Sequence, residues 1–274
     1  MRIYRFVLPL IVIGVLSACA SPPEQEDETR DWSASKFYSE AKAAMADGNY
    51  QTAIRYFEGL EARYPFGKYA LQSQLDVAYA YYKDDEPESA LAALDRFIKL
   101  HPRDPHVDYA YYMKGLVNYN RSVGFLDRYV PTDPSQRDAG AALDAFKDFV
   151  VLLKKFPNSK YAKDARQRLV YLRNNLAKYQ LHVARYYMKK GAWLAAANRA
   201  KDVVERFERT TAVRPALEIM ADAYAKLGMN DLAADARRVL KLNETKGRLA
   251  VEQEPDRERS LLRRIWDYIG FDRN

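Results

Sequence analysis

One cysteine and three histidines in 274 residues are too few for a zinc cluster, a disulfide framework or a cysteine–histidine catalytic pair. Glycine (11) and proline (12) are also scarce. An all-β sandwich needs a turn roughly every 8 to 12 residues, so this shortage argues against that class and for long helices. The apolar run that opens the chain, Phe6 to Leu16, is 11 residues, well short of the ~20 that a membrane-spanning helix requires. Tyrosine is in excess instead, at 21 residues. With 48% hydrophobic and 30% charged residues, the composition is that of a folded globular chain.

Arg2 and Arg5 precede the apolar run, and Leu16-Ser17-Ala18-Cys19 follows it. Residues 1–18 therefore read as a secretory signal peptide. The last four residues resemble a bacterial lipobox, which implies a diacylglyceryl group on the Cys19 sulfur and an acyl group on the new N-terminus. Each buried methylene contributes about 0.8 kcal/mol and a single chain holds only reversibly, so three chains anchor stably. Ala20 stands where an aspartate would favour inner-membrane retention, and the implied site is the periplasmic face of the outer membrane. Residues 19–33, with Pro22, Pro23, Glu24, Glu26, Asp27 and Glu28, form a solvated tether.

Beyond the tether, one pattern recurs: a helix, a short turn, a second helix, then an aromatic residue before proline. It shows as Gly48-Asn49-Tyr50, Ala53, Phe57 and Tyr64-Pro65, then as Asp85, Pro87, Ala90, Leu94 and His101-Pro102, a spacing of 37. The third copy holds Gly140, Ala145, Phe149 and Phe156-Pro157; the fourth Gly191, Trp193, Ala196 and Ala200; the fifth Gly228, Asn230 and Ala233. Two insertions interrupt the period. The first, 18 residues, is assigned to a loop around Asn120 to Asp138, and the second, 14 residues, is close to four helical turns. The spacing thus predicts one long helix over 159–190. These units resemble tetratricopeptide repeats. The expected fold is all-α, a right-handed superhelical solenoid of five helical hairpins over 34–243, because no such unit buries its apolar stripe alone.

In that repeat class the first helix of each pair builds the concave wall. The corresponding positions hold Tyr38 in the first copy, Leu75, Tyr79 and Tyr82 in the second, and Tyr109, Tyr112 and Tyr119 in the third. Tyrosine at helical spacing is commonly core. Clustered on one wall, it offers large contact area and hydroxyls for a peptide backbone. In copies four and five the same positions hold Lys178, Arg185, Met188, Lys189, Glu218 and Asp222.

Between Asn158 and Pro215 there are 14 Lys or Arg against 4 Asp or Glu, a local charge of +10. Such a sector is expected to meet an acidic protein surface or phosphate; export argues against nucleic acid. In 244–274, a polar stretch leads to Leu261, Leu262, Ile265, Trp266 and Ile269, one apolar face at 3.6-residue spacing with arginines opposite. That helix is expected to cap the array or dock on a partner.

Arg63-Tyr64-Pro65-Phe66-Gly67, Ala78 to Lys83, Asp95-Arg96-Phe97-Ile98, Phe156-Pro157-Asn158-Ser159 with Tyr161, Arg168-Leu169-Val170, and Gly191-Ala192-Trp193 with Asn198-Arg199 resemble the D-subunit family (BamD, or ComL) of the bacterial β-barrel assembly machine. The resemblance implies a non-enzymatic, lipid-anchored scaffold without cofactor. Its C-terminal repeats (158–243) would bind a POTRA domain of BamA, with Arg199 as the salt-bridging arginine and Arg185, Lys189 and Trp193 around it. Its N-terminal repeats (34–157) would receive the aromatic C-terminal signal of unfolded outer-membrane proteins and the accessory lipoproteins BamC and BamE. Two other classes stay open on the residues alone. One is an adaptor for peptidoglycan or a cell-wall enzyme; the other is a lytic glycosidase, for which Glu218 and Asp222 are the available carboxylate pair.

Overall fold

The computed structural model describes residues 28–122, 139–247 and 249. Cys19 and most of the tether, residues 123–138 of the expected loop and the C-terminal amphipathic segment lie outside the described residues; Asn120 to Ser122, expected in that loop, instead continue the fifth helix. Those described form ten α-helices and are all-α: α1 (Ala34–Ala46), α2 (Tyr50–Arg63), α3 (Lys68–Lys83), α4 (Pro87–Leu100), α5 (Val107–Ser122), α6 (Gly140–Lys155), α7 (Ala162–Lys189), α8 (Trp193–Arg206), α9 (Val213–Lys226) and α10 (Asn230–Thr245). They pack as sequential helical hairpins of the tetratricopeptide type, α1 on α2 in the N-terminal part and each helix from α4 to α10 on the next. By internal packing the chain forms two units that divide between Ser73 and Gln74, within α3.

In the first unit, α1 and α2 form a hairpin fixed at both ends. Ser33 caps α1, its Oγ accepting from the Lys36 amide at 3.3 Å. Trp32, just before the cap, packs its ring 5.2 Å from Phe37 in the first turn, a staple that sets the entry angle of the chain. Gly48 closes the helix at φ 77°, a conformation that would strain a side chain. Asn49 then caps α2 through the Thr52 amide at 3.2 Å. Phe37, Leu60 and Ala70 form one buried cluster of this unit, and Ala41, Ala53, Ile54 and Phe57 are buried with them.

Three of the four slots identified by spacing in the second unit return as turns, while Gly140 instead opens α6. Gly191 and Gly228 sit at φ 71° and 74°, and Asp85, the substitute in the second copy, at 61°. Aspartate is among the few residues that tolerate this region, so the turn survives the exchange.

The long helix spans 28 residues as α7. Its N-terminal half supplies Ala165 and Leu172 to a core with Ala145, Phe149 and Leu152 of α6. Its C-terminal half supplies Ala177, Leu181 and Ala184 to a core with Ala200, Val203, Ala212 and Ala216. One helix therefore serves two hairpins, and an insertion near four whole turns keeps both apolar stretches on one side. Where α8 meets α9 the packing is alanine on alanine, which lets the axes approach closely.

Candidate functional site

The tyrosines picked out by repeat position are neither core nor free surface: Tyr38, Tyr79, Tyr82, Tyr109, Tyr112 and Tyr119 are all half-buried. In the first unit, Tyr38 lies 5.4 Å from the ring of Tyr69 and 6.1 Å from Phe57. In the second unit, Tyr79 and Tyr82 pair at 6.2 Å, and the Asn120 side-chain amide donates to the Tyr82 hydroxyl. Leu75 must be corrected: at 2% exposure it is a core residue. A tyrosine can bury its ring and leave its hydroxyl at the rim, but a leucine has no polar tip to leave there.

On α5, the other three tyrosines meet a stripe of α7 that was not foreseen. Tyr109 lies 5.5 Å from Tyr161, and Tyr112 stacks on the same ring at 4.6 Å and 12°. The Tyr112 hydroxyl donates to Asp164 Oδ2 at 2.7 Å, and Arg168 Nε donates to the same oxygen at 2.6 Å. The guanidinium then lies over the Tyr119 ring at 4.7 Å, and Tyr119 meets Tyr171 at 5.8 Å. Tyr161, Asp164, Arg168 and Tyr171 follow i, i+3, i+7, i+10 spacing and so share a helix face. That periodicity, with an acid and a base four apart, was the available signal.

Below this row, polar ties join the elements that carry it. Lys114 of α5 bonds Asp95 of α4 at 2.6 Å and lies 3.8 Å from Asp148 of α6. Asn118 donates to Asp148 at 2.8 Å, and the Ser159 hydroxyl donates to Asp108 at 2.7 Å. Burial pushes the Asp148 carboxyl above the usual carboxylate range despite these donors.

Burial, and then the neighbouring Tyr161 and Asp76, drive the Tyr109 phenol well above its ordinary range. The Tyr112 phenol is pushed up to about 12, first by burial and then by its bond to Asp164. Both remain neutral hydroxyls at any physiological pH. Burial alone would raise the Asp164 carboxyl, but the bonds from Arg168 and Tyr112 outweigh it and hold the group below the ordinary value. A carboxyl depressed in the folded state stabilises above its unfolded pKa, and that contribution is lost as pH falls through the folded one. Asp164→Asn should therefore melt below the parent at pH 7, with the difference closing on acidification below about pH 4. Thermal melts from pH 7 to 2.5 check this; a gap independent of pH would contradict it.

The basic face lies at the α7–α8 hairpin. Arg185 and Lys189, four apart on α7, are exposed, as is Arg199 on α8. Several neighbouring cations are already matched by carboxylates: Arg168 by Asp164, Lys201 by Glu205, Arg206 by Asp202 and Arg214 by Glu244. Arg199 instead donates to the neutral Gln180 amide at 3.3 Å, which leaves its charge to act outward. Trp193 is half-buried on Ala196, Ala197 and Ala223, beside Tyr187 and Met188. Its role in the fold is thus to brace the turn at Gly191. Tyr186 and Leu194, 56% and 54% exposed, flank that turn as apolar surface that charge counting missed.

Other candidates recede. Glu218 and Asp222 are exposed on α9, whereas glycoside hydrolysis calls for a carboxyl pair enclosing the scissile bond. His101 bonds Gln74 at 3.1 Å, and His106 bonds Asp104 at 3.1 Å. Among the described residues no group of His, Cys, Asp or Glu could hold a metal ion, and no helix is long and apolar enough to cross a membrane. The described residues present a row of tyrosines with one ion pair set into it, and an exposed cationic face.

Comparison with known proteins shows the family. Residues 30–240 match the family model described as YfiO, outer membrane lipoprotein. The chain is 46% identical over 241 residues to outer membrane protein assembly factor BamD of Neisseria meningitidis, covering 86% of this chain and 90% of that one. It is 38% identical over 240 residues to the protein of the same name from Vibrio cholerae, covering 88% and 98%. With the Haemophilus influenzae protein of that name it shares 31% over 258 residues, covering 93% and 97%.

Proposed function

The chain belongs to the BamD family of outer-membrane lipoproteins, non-enzymatic assembly factors of the Bam complex, and on that footing we propose how its two faces divide the work. The exposed Arg185, Lys189 and Arg199, with Tyr186 and Leu194 beside the α7–α8 turn, bind a POTRA domain of BamA. The tyrosine row receives the aromatic C-terminal segment of an unfolded outer-membrane protein. Residues 34–157 also dock BamC and BamE, residues 158–243 hold BamA, and the acylated Cys19 keeps the chain at the outer membrane.

The observation that carries the substrate half is the run from Tyr109 through Tyr161, Tyr112, Asp164 and Arg168 to Tyr119. Stacked rings locked by an ion pair form a rigid amphipathic surface, so little side-chain freedom is lost when an aromatic peptide lies on it. The Tyr109 phenol, held protonated by burial, can donate to a peptide carbonyl, while Tyr112 already gives its proton to Asp164 and offers its ring.

Photocrosslinking of a peptide carrying a barrel C-terminal signal tests the reading. Two aromatic anchors lost at ~1–2 kcal/mol each weaken binding by a factor of roughly 30 to several hundred. The double variant Tyr79→Ala, Tyr112→Ala should accordingly lose nearly all crosslinking while its circular dichroism stays helical. Undiminished crosslinking in a folded variant would dismiss the row as the receptor.

A further inference from the structure

We infer that the groove at the end of the last hairpin is a seat for the chain's own C-terminal segment, taking Leu261, Leu262, Ile265, Trp266 and Ile269. The groove holds about 810 Å³ and is walled by Val204 of α8, Val213 and Leu217 of α9, and Val239 and Asn243 of α10. A space of that size lies within the ~300–1,000 Å³ range of sites that bury a drug-sized apolar ligand, ample for an indole and its aliphatic neighbours.

The outer stripe of α10 is built differently from its counterparts. Leu232, Val239 and Leu242 are exposed, at 46%, 37% and 48%. The repeat period places Ala195, Asp202 and Glu205 of α8 at the equivalent positions, and Ser89, Arg96 and Lys99 of α4. Where the stripe faces water it is mostly polar; in the last helix it is aliphatic. A terminal repeat with an apolar outer surface needs a cover to stay soluble.

The path of the chain points to what supplies that cover. Gly247, at φ 59°, turns the backbone after α10, and Leu249 already lines the groove. The chain leaving the last helix thus re-enters the groove before the described residues end. Eleven residues, 250–260, separate it from Leu261; extended, they reach up to ~35–40 Å, enough to lay the amphipathic segment along the groove in either direction. The arginines opposite its apolar face, Arg263 and Arg264, would meet Glu208 at the rim.

The test is fluorine NMR on the mature chain with 5-fluorotryptophan at Trp32, Trp193 and Trp266, using Trp266→Phe for assignment. The Trp266 signal should be shielded from solvent, with little response to exchange of water for deuterium oxide and little relaxation by a soluble gadolinium chelate. Val239→Asp, which sets a charge in the groove, should raise that relaxation several-fold and leave the other two signals in place. Val170→Asp, on an exposed valine of α7, should change none. A solvent-exposed Trp266 in the parent would overturn the inference. So would shielding that requires phosphatidylglycerol vesicles, which would make membrane the occupant, or shielding that vanishes on dilution, which would make it a second copy.

Discussion

Gly115→Ala should lower the melting temperature by several degrees, although alanine is the better helix former. In an ordinary helix the exchange stabilises by about 1 kcal/mol. Here a Cβ would stand 2.4 Å from Phe149 Cε1, 2.6 Å from Cδ1 and 2.8 Å from Cζ, distances that real contacts do not reach. Phe149 cannot swing aside, because it is fully buried among Ala145, Leu152, Ala165 and Leu172. Overpacking a closed core costs typically ~1–3 kcal/mol and occasionally more, and a clash with a confined ring belongs at the upper end. The net loss is about 1–2 kcal/mol, or roughly 2–8 °C for a domain of this size. Gly115→Val, which adds two methyl groups and a β-branch, should fall further. Adding Phe149→Leu to Gly115→Ala should recover part of the loss, giving the coupling expected of contacting residues. A melting point raised by Gly115→Ala would show that α5 and α6 are not packed this closely.

The same contact marks how far local pattern carries. The repeat spacing located four of its five turns: Gly48, Asp85, Gly191 and Gly228 hold left-handed backbone, as a tight turn between antiparallel helices demands, whereas Gly140, the slot assigned to the third copy, is the first residue of α6. The long helix was legible for a similar reason, as an insertion near four turns preserves the apolar phase along α7. Which side chain meets which across hairpins was not legible. Tyr112 and Asp164 are 52 residues apart, and nothing local to either announces the other. Leu75 fell on the same positional grid as Tyr79 but went to the core, because the grid records helix face while burial follows the chemistry of the tip. Arg199 could be singled out by resemblance, yet its neutral partner Gln180 and the exposed Tyr186 and Leu194 around the turn emerged only from the packing of α7 on α8.

Arg199→Glu should weaken binding of the mature chain to a BamA POTRA fragment by roughly 30-fold or more, at high salt as well as at low. Truncating one partner of a hydrogen-bonded interfacial charge pair commonly costs ~2–5 kcal/mol, and reversal adds repulsion to the loss. The structure gives a reason to expect more of this arginine than of the rest of the 14 basic residues between Asn158 and Pro215. Arg206 and Lys201 on the same helix already face Asp202 and Glu205, so their fields are partly cancelled before a partner arrives. Arg199 rests on an amide, and breaking that neutral bond to reach a carboxylate costs little. Lys201→Glu makes the same change of charge two residues away and should act mainly through association rate, at a cost within ~1 kcal/mol, as rim charges do. Titrations at 50 and 300 mM salt separate the two, since screening shortens the reach of the rim field but spares a desolvated contact. Equal losses for the two variants would mean that the sector acts as diffuse charge, and the dock would then lie elsewhere on the chain.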